Sequence, residues 1–236
     1  MRINQYIATA TGLSRRAADK AINGGRVTVN GRLASTGQQI DLSDDVRLDN
    51  RSITPVTKIQ TIILNKPTGY VCSRNGQGSQ TIYDLLPGEL HNLKPVGRLD
   101  KDSSGLLLLT NDGKLAHQLT HPSFAKEKVY EVTLSKPLRL DDKAKIETGV
   151  QLEDGLSVLR LRSKEQGARS RPKNFGTLTP YSISLISTYE VRMAEGRNRQ
   201  IRRTFAALGY KVTELHRIQF GPYSLDELPS GKYKIL

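Results

Sequence analysis

The sequence predicts an α+β protein in two parts: a small N-terminal module, then a larger domain on a mixed, mostly antiparallel sheet. Three observations predict it. The first 50 residues carry helix-period apolar spacing followed by a hairpin signal. A polar stretch with Pro55 follows. From residue 60 onward, strand-like runs and helical segments mix irregularly, which points to α+β rather than to a doubly wound sheet. We therefore expect a module over 1–50, a linker over 51–59 and a second domain over 60–236.

In the module, Ile3, Tyr6 and Ile7 share one helical face, and Gly12 breaks that helix. Ser14 is a natural N-cap for a second helix carrying Ala17, Ala18 and Ile22, which Gly24 and Gly25 end. Val27-Thr28-Val29 and the turn Asn30-Gly31 read as a hairpin, with a last strand expected at 46–48. Beyond the linker, strands are expected at 61–64, 69–72, 106–109, 129–134, 182–186 and 190–193. Helices are expected at 83–86, 113–119, 142–148 and 198–208. Residues 163–176 are polar, basic and punctuated by Gly and Pro, and read as a mobile loop.

Composition narrows the partners. Lys and Arg exceed Asp and Glu by 36 to 23, a net charge of +13, which suits a polyanion, nucleic acid before anionic membrane. The single cysteine, Cys72, excludes an internal disulfide framework and a multi-cysteine zinc site. No run approaches the ~20 apolar residues of a spanning helix, and the N-terminal stretch lacks a secretory core. The expectation is a soluble, cytoplasmic protein without membrane contact, by default a monomer.

Arg15, Arg16 and Lys20 lie on the second helix, with 16 and 20 one turn apart on a face able to grip phosphates. Taken alone, such a face is as consistent with a solvated surface. The pattern RxNQYIAxxxGLSRRAADKAINxGRVTVNG, however, resembles the alpha-L RNA-binding module of a small-subunit ribosomal protein, tyrosyl-tRNA synthetases and several RNA-modifying enzymes. The resemblance makes Ser14, Arg15, Arg16 and Lys20 candidate RNA contacts.

The most informative stretch is VGRLDKDSSGLLLLTNDG, residues 96–113. Asp100 precedes a small-residue turn and a buried-looking strand, a scaffold able to hold a carboxylate as nucleophile or base. Asp102 is an alternative carboxylate two residues on, and either reads equally as a turn former or an ion-pair partner. GRLDKDSSGLLLLTNDG resembles the signature of the pseudouridine synthase family of the RsuA and RluB type. That resemblance makes Asp100, not Asp102, the catalytic carboxylate. LNKPTGYVCS (64–73), EKVYEVTL (127–134), EGRNRQIRR (195–203) and the terminal LPSGKYKIL match in the same order. The resemblance spans nearly the whole chain.

It implies an isomerisation of uridine in ribosomal RNA or a ribosomal precursor particle, without cofactor or metal. The C1′–N1 bond breaks, the base turns, and C5 joins C1′; the base must first leave its stack. Tyr130 offers a ring to the extruded uracil and a hydroxyl for proton transfer. Arg202 occupies the family position that pairs with the catalytic carboxylate, and such a pairing would favour its charged form. Leu215 sits where the family places an apolar residue against the base, and Arg98 near the RNA backbone or under the Asp100 loop. Asn198, Arg199 and Gln200 are expected to open a helix, a natural phosphate site. Whether Asp100 adds to the substrate or removes the ribose 2′ proton stays open. SQTIYDLLP (79–87) and GVQLEDG (149–155) resemble the RluB-like group and lean the expectation toward large-subunit RNA.

His117 and His121 stand at i and i+4, a zinc-capable spacing, but Pro122 follows and no HExxH motif is present, so no metal is expected. A non-catalytic RNA-binding or ribosome-assembly protein remains the rival. A methyltransferase would show a Gly-rich cofactor loop after a strand, and a zinc deaminase several cysteines.

Overall fold

The computed structural model describes residues 1–55, 58–163 and 187–236. The strand expected at 182–186 and, beyond Ser163, the loop expected at 163–176 lie outside the described residues. The chain forms two compact units, Met1–Gln60 and Thr61–Leu236.

The first unit follows its local signals. Helix α1 (Ile3–Thr11) ends at Gly12, whose φ of 76° is left-handed. Helix α2 (Arg15–Asn23) starts at Ser14, which accepts a hydrogen bond from the Ala17 amide. Strands β1 (Val27–Val29) and β2 (Arg32–Leu33) flank Asn30 and Gly31, both at positive φ as this hairpin turn requires. β3 (Val46–Leu48) pairs antiparallel with β1. Residues 51–52, expected to open the linker, instead form β4 (Arg51–Ser52) against β3. Asp49 and Asn50 take positive φ to make that turn, and short Asx side chains tolerate it. Ile3, Tyr6 and Ile7 bury against Ala18, Ala21, Ile22, Val27 and Val46, an independent small core.

In the second unit β5 (Thr61–Lys66) is followed by β6 (Lys94–Pro95) and β7 (Ser104–Thr110). Next come α3 (Gly113–Thr120), β8 (Lys128–Leu134), α4 (Leu140–Thr148), β9 (Val150–Leu152), β10 (Gly155–Ser157) and β11 (Arg160–Ser163). The chain ends with β12 (Ser187–Met193), α5 (Gln200–Ala207), β13 (Val212–Phe220), β14 (Tyr223–Ser224) and β15 (Tyr233–Ile235). The main sheet runs β11-β12-β8-β13-β7-β5-β15, with β6 and β14 beside β7 and β13. Only β13 and β7 pair in parallel among the described strands, so the sheet is mixed and mostly antiparallel.

β7 explains its own composition. Leu107 and Leu109 face the larger apolar layer, while Leu106 and Leu108 face a second layer with Ile63, Val96 and Phe220. A central strand buried on both faces has no polar side, hence the unbroken Leu run. Two expectations fail locally. Residues 69–72 are not a strand: Pro67 and the left-handed Gly69 turn the chain, and only Val71 bridges to Thr81. The helix expected at 83–86 is a single 3₁₀ turn, Ile82–Leu85, held by a Thr81–Asp84 capping box and ended before Pro87.

Candidate active site

Asp100 lies on the loop between β6 and β7, and its backbone is held from several sides. Lys66, the last residue of β5, is fully buried. Its Nζ donates to the carbonyls of Pro67 (3.0 Å), Asp100 (3.0 Å) and Ser103 (2.7 Å). Burial pushes the Lys66 ammonium below its ordinary range. Residues 69–72 strap the loop from outside. The Gly69 amide donates to Lys101 O at 2.7 Å, and Cys72 Sγ donates to Leu99 O at 3.3 Å. Burial raises the Cys72 thiol above its usual value. Gly105 closes the loop onto the sheet. A Cβ there would stand 2.3 Å from the carbonyl oxygen of Arg217, so the parallel β7–β13 pairing requires glycine.

The loop opens into a cleft of about 570 Å³ whose walls include Asp100, Tyr130, Arg199, Leu215 and Arg217. The sheet sets the floor. Tyr130 on β8 pairs directly with Arg217 on β13, and Leu215 precedes Arg217 by two. Directly paired residues point to one face, as do residues two apart, so Tyr130, Leu215 and Arg217 share it. Tyr130 and Leu215 are each 8% exposed and Arg217 is 2% exposed. Arg217 Nε donates to Leu106 O at 2.8 Å, and its guanidinium lies 5.0 Å from the Phe220 ring. Sequence reasoning assigned no site role to Arg217 or Lys66; their burial beside the Asp100 loop is a tertiary fact.

The basic segment before and along α5 supplies the countercharge, and here the pairing differs from expectation. Arg199, not Arg202, reaches Asp100, with Nη1 to Oδ2 at 3.4 Å. Arg199 also grips Asp102 with two bonds of 2.9 Å. Arg202 lies 3.3 Å from Asp102 Oδ2 and donates to the Asp102 and Val212 carbonyls at 2.8 Å each. The expected Arg202–Asp100 pair is therefore corrected to Arg199–Asp100. The cause is local: Arg199 sits at φ 47°, ψ 30°, and this left-handed residue ahead of the helix swings its side chain toward the loop. Consequently α5 opens at Gln200, not at 198. The guanidinium of Arg199, then that of Arg202, holds the Asp102 carboxyl below the usual carboxylate range.

Asn198, Arg199 and Arg98 are exposed and line the cleft. Gln200 is corrected as an RNA contact. It is 2% exposed, and its amide is spent on Ser157 Oγ (3.1 Å), Glu195 and the Arg197 amide (3.1 Å). Arg197 and Arg203 are not free surface charges either; both clamp Asp154 in the β9–β10 turn. In the first unit, Ser14, Arg15, Arg16 and Lys20 are all exposed along the start and body of α2.

Concerning metal, the His117 and His121 rings lie 4.8 Å apart, tilted by 32°, and His121 Nδ1 is 2.7 Å from Ser123 Oγ. Among the described residues, no group of three or more His, Cys, Asp or Glu is placed to hold one. His91 is structural, its Nε2 lying 3.0 Å from the carbonyls of Tyr83 and Leu86.

An arginine-paired carboxylate and an apolar and aromatic floor thus line one cleft. Comparison with known proteins gives the class. Residues 60–207 match the family model described as RNA pseudouridylate synthase, and residues 1–46 match the S4 domain model. The chain is 36% identical over its full length to the ribosomal small subunit pseudouridine synthase A of Pasteurella multocida, covering 96% of it. Against the protein of the same name from Haemophilus influenzae it is 37% identical, again over the full chain and 96% of the relative. A crystal structure of a pseudouridylate synthase matches the full chain at 34% identity with a TM-score of 0.66, over 96% of that chain. The chain belongs to the RNA pseudouridylate synthase family. It is an isomerase that makes pseudouridine in RNA.

Proposed function

We propose that the chain converts a uridine of small-subunit ribosomal RNA to pseudouridine, with Asp100 as the catalytic residue. The observation that carries the site is the cleft itself, where Asp100 stands on a clamped loop above Tyr130 and Leu215. In this reading Tyr130 stacks on the extruded uracil and assists proton transfer at C5, while Leu215 packs against the base. Arg199 places its guanidinium beside the Asp100 carboxylate, and Arg202 serves the site through Asp102. Asp100 acts either by adding to the substrate or by taking the ribose 2′ proton; in both routes the C5 hydrogen is finally lost as the C1′–C5 bond replaces C1′–N1. Arg98, Asn198 and Arg199 meet the RNA backbone at the rim.

The subunit assignment replaces the lean toward large-subunit RNA. The two segments behind that lean lie outside the Asp100, Tyr130 and arginine motifs, whereas relatives alike over the full chain are named for the small subunit. In the N-terminal module, Ser14, Arg15, Arg16 and Lys20 form the phosphate-gripping face, with residues 51–59 leading to the catalytic domain. The enzyme works as a cytoplasmic monomer without cofactor or metal.

The test uses unmodified small- and large-subunit RNA transcripts labelled with tritium at uridine C5. Wild type should release tritium from the small-subunit transcript, and Asp100→Asn should release none while binding the RNA as well. Release from the large-subunit transcript alone overturns the subunit assignment. Release by Asp100→Asn overturns the role of Asp100.

A further inference from the structure

On one wall of the cleft, α3 runs out into the 3₁₀ turn Pro122–Phe124. This corner carries three aromatic rings that the fold leaves in water. His117, His121 and Phe124 are all exposed, Phe124 by 44%. They form one contiguous surface. The His117 and His121 rings lie 4.8 Å apart at 32°, and the Phe124 ring stands steeply across both, 5.8 Å and 6.3 Å away at 83° and 74°. The arrangement is held in place. His121 Nδ1 accepts from the Ser123 amide at 3.3 Å and lies 2.7 Å from Ser123 Oγ, and Ala125 ends the turn in the left-handed region at φ 41°. Exposed rings fixed in this way add little to the folding of the domain, since they remove little apolar surface from water.

Their location gives them a use. His121, Pro122, Ala125 and Lys126 line the same cleft as Asp100 and Tyr130, and Arg98 lines it too. Extruding a uridine from its stack leaves the neighbouring base with one bare face. We propose that His121 and Phe124, backed by His117, form an aromatic stacking platform for the base next to the target uridine, one ring lying against its face and the other, at 74° to the first, against its edge, with Lys126 and Arg98 beside its phosphates. This rests on the proposed reading of the cleft as the uridine site. RNA is the fitting occupant because flat π-faces alternate with cations here, the pairing by which single-stranded nucleic acid is held without sequence readout. An apolar protein partner would gain nothing from Lys126 and Arg98.

The experiment compares full-length wild type with His121→Ala, Phe124→Ala and the double variant on the unmodified small-subunit transcript. Filter binding gives Kd, tritium release gives kcat and KM, and thermal melting checks the fold. The double variant should raise Kd and KM about tenfold, with kcat within about twofold and melting unchanged. Phe124→Tyr, which keeps the ring, should bind as wild type; Phe124→Leu, which keeps only apolar bulk, should not. An unchanged Kd in the double variant overturns the platform, as does Phe124→Leu binding like wild type. Absence of tritium release by wild type strikes the proposed function instead, and the Kd comparison still decides the platform.

Discussion

Lys66→Met isolates how much of the site depends on one buried ammonium. The substitution keeps chain length and apolar contacts but removes the donor to the Pro67, Asp100 and Ser103 carbonyls. Three carbonyls left unpaired, one buried and two part-buried, cost about 1 kcal/mol each, roughly 3 kcal/mol together as an upper bound. Against this, the variant no longer buries a charge, which offsets about 1 kcal/mol in so well paired a setting. The net expectation is about 2 kcal/mol of destabilisation, a fall in Tm of roughly 4–8 °C for a unit of this size. The sign of the pH dependence follows from the lowered pKa of Lys66. Its charged form is the penalised one, so in wild type this penalty is full below the lowered value and fades as pH climbs from there to the ordinary lysine range; Lys66→Met lacks that gain. In activity, a loop no longer fixed at Asp100 O should lower kcat by roughly ten- to a hundredfold with KM little changed. Melting by circular dichroism and tritium release check both. A variant that melts within about 1 °C of wild type and keeps kcat would refute the clamp.

Three further outcomes are expected. Gly105→Ala places a Cβ 2.3 Å from Arg217 O at a φ of 104°, and should cost more than about 4 kcal/mol, seen as lost soluble protein or a collapsed Tm; near-normal melting would sink the close approach. Replacing Arg15, Arg16 and Lys20 together by Ala should leave melting unchanged, since these side chains are exposed. It should flatten the log–log salt dependence of RNA affinity by roughly 0.7–0.9 for each phosphate that is no longer neutralised, and an unaltered slope would remove α2 from the interface. Asp102→Asn bears on acid stability. The Asp102 pKa is lowered in the fold, so its contribution is present above the ordinary carboxylate range and lost as pH falls through the lowered value. Half-exposed, the group contributes less than about 1 kcal/mol, and the variant should lose less stability than wild type between pH 5 and pH 2, as urea unfolding would show.

The sequence was most legible where local chemistry decides structure. Gly12, Ser14 and Asn30-Gly31 act within a few residues of themselves, and the helices and hairpin of the first unit follow them. The Leu run of β7 reads as a buried strand, and the fold buries it on both faces. β13 was invisible for the opposite reason. Its sequence VTELHRIQF carries Glu, His, Arg and Gln among the apolar residues, and register shifts between Val212 and Glu214 and between Arg217 and Gln219 break the period of two. Those irregularities accompany the strand along the cleft, where a polar residue such as Arg217 is buried beside Tyr130 and a regular pattern would be wrong. The order Arg197 to Arg203 likewise hid which arginine faces which acid. That depends on the left-handed turn at Arg199, a conformation rare for arginine and unsignalled by its neighbours.

That turn also divides two nearby carboxylates by task. Asp102 receives both terminal nitrogens of Arg199 at 2.9 Å and has Arg202 Nε at 3.3 Å, while Asp100 has a single Arg199 nitrogen at 3.4 Å. A carboxylate in a bidentate grip must break charge-assisted bonds before it can meet a substrate, and each such bond contributes on the order of 1.5–3 kcal/mol. On the proposed role of Asp100, the loose contact is the useful one. Arg199 is anchored through Asp102, so its charge stays beside Asp100 when the Asp100 side chain turns toward a bound uridine. Rigidity enters through the backbone instead, from Lys66 beneath the loop and from Arg202, which ties Asp102 O to Val212 O at the start of β13. A firmly held main chain bearing a lightly held carboxylate suits a group that must be aimed yet remain free to react.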